Sequence, residues 1–290
     1  ITNLQERLDN SDPFTAENGT GGTTGNDGNG TGNTGNNGNG TGDTSDVTVL
    51  IPFVDPDDAP EIDGEITINN NNVAGVWANA VSSDISGAPL AINNLMVDIN
   101  ADHVNNLILR RWWAMHDGDY LYILVLSDDS GLRFSDSERA WHDDSLELYI
   151  DGDNSKLPSY GDDDDIQVTI PLQPLNSTSS NESDDGRFSF GAGSTVTSLD
   201  IEFETGIGIG PDGLRVSRWE QDIYELRIAI DSAGIAVGKA FGFELQINDD
   251  DDGGVRDGKW GWFHPERTNA DVDFTHLNPS IMGTVILQND

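Results

Sequence analysis

Carboxylates dominate the chemistry this sequence could perform. Of its 52 acidic residues, 39 are Asp and 13 are Glu. Glu suits helix surfaces, whereas Asp suits turns, caps and hard-cation sites. Two loops alternate Asp oxygens with a Gly that turns the chain: Asp151-Gly152-Asp153-Asn154-Ser155 and Asp249-Asp250-Asp251-Asp252-Gly253. Oxygens spaced in this way can converge on one hard cation, so Asp151, Asp153, Asp249 and Asp251 are candidate ligands and calcium the expected ion. Neither loop follows the EF-hand spacing, and a solvated turn would have the same composition. The run Asp162–Asp165 adds four adjacent like charges that repel one another at low salt.

Catalytic constellations are missing. Five histidines occur, at 103, 116, 142, 264 and 276, with neither a His-Glu-x-x-His nor a Gly-x-Ser-x-Gly among the motifs. Gly206-Ile207-Gly208-Ile209-Gly210 lacks the spacing and the following helix of a dinucleotide loop. With so many carboxylates, any single pair is uninformative about glycoside hydrolysis. The chain is therefore expected not to be an enzyme.

Tryptophan says more. Seven occur, and Trp141, Trp260 and Trp262 sit among polar and Gly-rich neighbours, in Arg139-Ala140-Trp141-His142-Asp143-Asp144 and in the stretch Gly258 to Phe263. A loop tryptophan can offer its flat face to the C–H face of a pyranose while polar groups at the rim read hydroxyls. It can equally fold back over the core. Trp77 and Trp113 read as core.

These residues must be positioned by strands. Val47–Val54, Tyr120–Leu126, Ser145–Ile150, Ile166–Ile170, Leu199–Glu204, Tyr224–Ile230, Phe241–Ile247 and Gly283–Leu287 are short apolar or alternating runs. Turn clusters of Asp, Gly, Asn and Ser separate them, and no long segment keeps a helical period. That pattern predicts an all-β domain over residues 47–290, an antiparallel, jelly-roll-like β-sandwich. Residues 1–46 read as a polar extension. Within it, Asn18–Asp43 consists of 11 Gly, 7 Asn, 6 Thr and 2 Asp, which cannot build a core and predicts a linker.

The order of motifs resembles the carbohydrate-binding modules of family nine, sandwich domains usually appended to secreted polysaccharide-degrading enzymes. Pro60-Glu61-Ile62-Asp63-Gly64-Glu65 resembles that family's opening motif, with Trp77 following. His116-Asp117-Gly118-Asp119-Tyr120-Leu121-Tyr122 resembles its Trp-Asp-x-x-Tyr-Leu-Tyr with His for Trp. Trp141-His142-Asp143-Asp144-Ser145-Leu146-Glu147-Leu148-Tyr149-Ile150-Asp151 is similar to Trp-Glu-x-Asp-Ser-Val-Glu-Ile-Phe-Ile-Asp. Asp163-Asp164-Asp165-Ile166-Gln167, then Gly242-Phe243 through Gln246, Asn248 and Asp249, and then Gly254, Arg256, Trp262 and Met282-Gly283 complete the series. The resemblance implies a sugar clamped between Trp141 and Trp262, with Glu147 accepting from sugar hydroxyls and Gln167, Asn248 and Arg256 around it. It also implies calcium in Asp-rich turns. One position departs: where the family has a basic residue two places after the Gln, this chain has Thr169.

A net charge of −38 repels phosphate backbones and anionic lipid, so neither nucleic acid nor a membrane surface is an expected partner. No run approaches the ~20 apolar residues of a membrane span. Cysteine is absent, which leaves the compartment open, and the start at Ile1 without a hydrophobic leader is that of a processed or excised chain. The expected function is a secreted, non-catalytic, calcium-stabilised module for a polysaccharide or oligosaccharide. The alternative is a structural subunit of a cell-surface or extracellular filament, a homopolymer in which the N-terminal segment docks on a neighbour.

Overall fold

The structure is a computed structural model that describes residues 48–69, 72–80, 90–92, 94–98, 107–129, 139–161, 164–172, 188–191, 194–196, 198–208, 220–263 and 275–290. The N-terminal extension, its Gly/Asn/Thr tract and the docking segment of the filament reading lie outside these residues.

Fifteen strands form the described fold. They are β1 (Thr48–Ile51), β2 (Ile68–Asn69), β3 (Asn72–Val73), β4 (Leu90–Ala91), β5 (Asn94–Asp98), β6 (Leu107–His116), β7 (Tyr120–Asp129), β8 (Ser145–Asp151), β9 (Asp165–Pro171), β10 (Ser189–Phe190), β11 (Ile201–Gly208), β12 (Glu220–Ala229), β13 (Ala240–Asp249), β14 (Gly258–Gly261) and β15 (Gly283–Leu287). One sheet runs β1-β15-β13-β8-β9-β10, with β14 continuing from the far half of β13 and β5 beyond it. The second runs β11-β12-β7-β6-β4, and β2 and β3 form a small hairpin. All pairings are antiparallel except β1 with β15, which run parallel from Thr48↔Thr284 to Ile51↔Leu287. The expected β-sandwich is present.

Alternation builds the core. Leu146, Leu148 and Ile150 of β8, Ile166, Val168 and Ile170 of β9, and Phe241, Phe243, Leu245 and Ile247 of β13 turn inward. They meet Leu121, Ile123 and Val125 of β7 and Tyr224, Leu226 and Ile228 of β12. Such period-two burial is the dominant stabilising term of a two-sheet fold. Strand β6 escapes a reading by alternation because Arg110 and Arg111 interrupt its apolar run, and the register with β7 shifts between Ile108 and Arg111.

The outer face of the second sheet carries its own cluster of Trp77, Trp113, Met115, Tyr122, Leu124, Leu126 and Ile223. The segment bearing the Ile62-Asp63-Gly64 motif is pinned there by a buried carboxylate. Glu225 of β12 accepts from Asp63 N at 3.2 Å, Gly64 N at 2.7 Å and Trp77 Nε1 at 2.9 Å. Gly64 takes φ of +71°, a left-handed value that disfavours other residues in the turn. Trp77 and Trp113 are core residues, each 4% exposed. Replacing Glu225 by Ala leaves three donors without their acceptor. Urea unfolding should show a loss of about 3 kcal/mol, in the range for buried hydrogen bonds to a charged group.

Candidate functional site

The strands that send apolar residues into the core send polar ones to the other face of the first sheet. Ser145, Glu147 and Tyr149 of β8, Gln167 and Thr169 of β9, and Gln246 and Asn248 of β13 lie on that face, as does Lys259 of β14, and all are buried. Glu147 is their centre, only 2% exposed. Its Oε1 lies 3.0 Å from Lys259 Nζ, 3.7 Å from Arg256 Nη1 and 2.8 Å from Asn248 Nδ2. Tyr149 donates its hydroxyl to the other carboxylate oxygen. Asn248 also donates to Ser145 Oγ at 2.9 Å and accepts from Arg256 Nη1 at 3.2 Å. Arg256 reaches on to the carbonyl of Trp141 at 3.3 Å. Gln167 Nε2 approaches Tyr149 at 3.4 Å, while its Oε1 is buried with no hydrogen-bond partner.

Trp141 stands at the rim of this cluster, half-buried on the 3-10 turn Ala140–His142 that leads into β8. Arg139 lies over its ring at 5.6 Å and His142 meets it edge-on at 5.8 Å. Burial, with the cations Arg256 and Arg139 nearby, holds His142 below the ordinary histidine range, which favours the neutral ring.

The structure therefore brings together Trp141, Glu147, Gln167, Asn248 and Arg256. It sets Trp262 apart: that ring packs at 5.0 Å on Trp112 and 5.9 Å on Phe243, on the core side of the same sheet. Trp260, expected on a loop, is instead in β14 and buried at 4% exposure, with Arg110 over its ring at 4.5 Å. The reason is alternation, which turns Trp260 inward and Lys259 toward Glu147. Thr169 lies directly opposite Glu147 in the β8–β9 register. A positive charge does reach Glu147 from across the sheet, on Lys259, a residue that sequence reasoning passed over although only three lysines occur.

The four candidate metal ligands fall into two separate places. Asp249 and Asp251 converge with Asp129 of β7, one carboxylate oxygen from each lying within 4.8 Å of the others. A second group joins Asp250, Asp252 and Asp257. At the far end of β8, Asp151 accepts from the backbone N–H of Ser155 and of Lys156, both at 2.9 Å. Asp153 accepts from the same Ser155 N–H at 2.8 Å, so this pair closes its own loop.

The Asp129 group caps the core. Along β7, β12 and β13 the inward positions turn from apolar to Ser127 and Asp129, to Asp222, and to Asp249. Asp249 is fully buried, and neither of its carboxylate oxygens has a hydrogen-bond partner. Burial, then Asp129, Asp251, Asp222 and Asp257, push its carboxyl well above the usual range. Arg110 places a positive charge nearby, its own pKa lowered by burial to about 10. An all-oxygen, acid-rich group with a desolvated carboxylate fits a hard divalent cation such as calcium, which would supply the balancing charge.

The fold is a β-sandwich that carries a buried polar cluster on one face of its first sheet. Residues 70–290 match the family described as carbohydrate family 9 binding domain-like, and the chain belongs to that family. It is 29% identical over 194 residues to the exoglucanase XynX of Acetivibrio thermocellus, covering 64% of this chain and 16% of that protein. It is 27% identical over 206 residues to endo-1,4-beta-xylanase A of Thermotoga neapolitana, covering 71% and 15%. The match thus spans only 15–16% of the length of these relatives. Among solved structures, a family 9 module from Caldicellulosiruptor kristjanssonii in complex with cellotriose aligns at a TM-score of 0.55 and 18% identity, over 84% of this chain and 94% of that one. The same module in complex with glucose aligns at 0.54, also at 18% identity, over 84% and 96%. Among the described residues, no helix is long and apolar enough to cross a membrane.

Glu147→Ala would leave Lys259, 1% exposed, without its carboxylate partner. A loss of about 3–5 kcal/mol in denaturant unfolding is expected, and Glu147→Ala with Lys259→Met should recover most of it.

Proposed function

We propose that this domain is a non-catalytic carbohydrate-binding module working outside the cell, and that its ligand is a glucose-based oligosaccharide read by the Glu147 cluster. One observation carries the reading. Five residues drawn from separate segments, Trp141, Glu147, Gln167, Asn248 and Arg256, meet on one sheet face, four of them joined to one another by polar contacts. Glu147 and the unpartnered Oε1 of Gln167 accept from sugar hydroxyls and Arg256 donates to sugar oxygens, while Lys259, itself buried, balances the charge of Glu147. Trp141 supplies the flat apolar surface at the rim. The cellotriose and glucose complexes of the structural neighbours, and the exoglucanase name of one relative, support this ligand class.

The reading gives the two tryptophans different work. Trp141 stacks on the sugar, and Trp262 backs the sheet from within. Calorimetry with cellotriose should show Trp141→Ala losing at least tenfold in affinity, with a nearly unchanged melting temperature; stacked anchors at binding hot spots carry roughly 2 kcal/mol or more. Trp262→Ala should lower the melting temperature by emptying a core position. Full cellotriose affinity in the Trp141 variant would refute the assignment.

We further propose that calcium occupies the Asp129–Asp249–Asp251 group and stabilises the fold by joining the two sheets. Binding to the native state alone adds about 2.7 kcal/mol at a hundredfold excess over Kd. Melting in calcium should therefore exceed melting in chelator by several degrees, and Asp129→Asn should abolish the difference. Equal midpoints for the wild type would remove calcium from the account.

A further inference from the structure

We propose that cation occupancy of the Asp129–Asp249–Asp251 group positions the Glu147 cluster, so that ligand binding at the polar face is calcium-dependent. The inference rests on the sugar-binding and calcium readings above, and adds a linkage between two sites that each would otherwise work alone.

Three joints connect them. The first is in β13, where Asn248 and Asp249 are consecutive and face opposite sides of the sheet. Asn248 holds Glu147 Oε1 at 2.8 Å and Ser145 Oγ at 2.9 Å, while Asp249 turns to the acidic group. The second is the loop that follows β13. It is closed by Asp257 N on Asp249 O at 2.7 Å and by Asp251 N on Asp257 Oδ2 at 2.9 Å. Arg256, immediately before Asp257, carries the guanidinium that reaches Asn248, Glu147 and the Trp141 carbonyl. The third joins the loop to the start of β8, where Asp250 N donates to Asp144 Oδ1 at 3.3 Å, three residues past Trp141.

The acidic group is more than a cluster of like charges. Asp249 is fully buried, and both its oxygens lack a hydrogen-bond partner, so a desolvated carboxylate is aimed into the space its neighbours share. A bound cation turns the repulsion of Asp129, Asp249 and Asp251 into a common attraction and fixes the start of the loop. Without it, those carboxylates push apart. The loop can yield at Gly253 and Gly254, at φ of +84° and +109°, because glycine without a Cβ has a wide range of backbone angles open to it. Arg256 lies just past these glycines and moves with them, which withdraws a donor from Glu147 and loosens the seat of Trp141.

The test uses the full chain, with calcium and cellotriose as probes. Calorimetry should show the cellotriose Kd rising at least fivefold in chelator and returning with calcium, at the lower end of couplings between sites. Linkage requires the reciprocal effect, with saturating cellotriose tightening calcium by the same factor. Asp129→Asn changes a residue of the opposite sheet, and should fix cellotriose affinity at the chelated value whatever the calcium concentration. Asp251→Asn serves as the second variant if thermal melting shows the first to be unfolded. A readout independent of sugar is the 19F resonance of Trp141 in protein labelled with 5-fluorotryptophan, assigned by Trp141→Phe. Calcium should shift it in the wild type and leave it unmoved in Asp129→Asn. If calcium binds while cellotriose affinity and the Trp141 resonance both stay constant, the coupling is overturned and the two separate readings stand. If the resonance shifts but cellotriose never binds, the sugar reading fails and the positional linkage is supported. Absence of calcium binding by calorimetry overturns the inference outright.

Discussion

Burying negative charge is the constraint on which the rest of this molecule depends. Glu147 lies near the middle of a sheet at 2% exposure, where an unbalanced carboxylate would cost several kcal/mol. Its surroundings answer that cost: one lysine, one arginine, one amide and one phenol converge on its two oxygens from three other strands or loops and from its own strand. Glu225 solves the same problem on the other sheet with two backbone amides and an indole, and in doing so fastens the Asp63-Gly64 turn and Trp77 to the fold. At Asp249 neither carboxylate oxygen has a hydrogen-bond partner, and the positive charge nearby is that of Arg110. These three buried acids thus centre a polar cluster, a structural latch and an acidic group. What distinguishes them is the kind of partner each is given.

Much of the fold was legible because period two survives in the sequence. Strands β7, β8, β9, β12, β13 and β15 carry alternating or continuous apolar runs, and each lies where its run predicts. Strand β6 was hidden by its adjacent arginines and β14 by its glycines, since neither looks like a half-buried surface when read alone. The parallel pairing of β1 with β15 leaves no local trace, because register between distant strands is a property of the closed sheet.

The site was legible to the same extent and for the same reason. Glu147 and Asn248 stand at positions where their strands must face away from the core, and Gln167 follows the same rule on β9. Trp262 shows the limit of reading composition without phase: Trp260 and Trp262 share a parity that turns both inward, and Lys259 between the glycines takes the other side. Asp129 could not be found by looking for clustered ligands. It reaches Asp249 only because two sheets close over one another, and its single cue is an acid continuing the inward series Leu121, Ile123, Val125 of β7.

The parallel pair has a mechanical meaning. Chain entering β1 at Thr48 arrives at one end of the sheet, and chain leaving β15 at Leu287 departs from the opposite end. Tension applied through polypeptide attached at both points pulls these neighbouring strands along their length in opposite directions. The hydrogen bonds between them then bear the load together, in shear, where an antiparallel pair pulled from adjacent ends would open one bond at a time like a zip. A domain that holds a solid or a surface while the rest of a polypeptide drags on it would gain from that arrangement. The parallel pair that would carry such a load is four residues long and lies at the edge of the sheet, away from the Glu147 cluster.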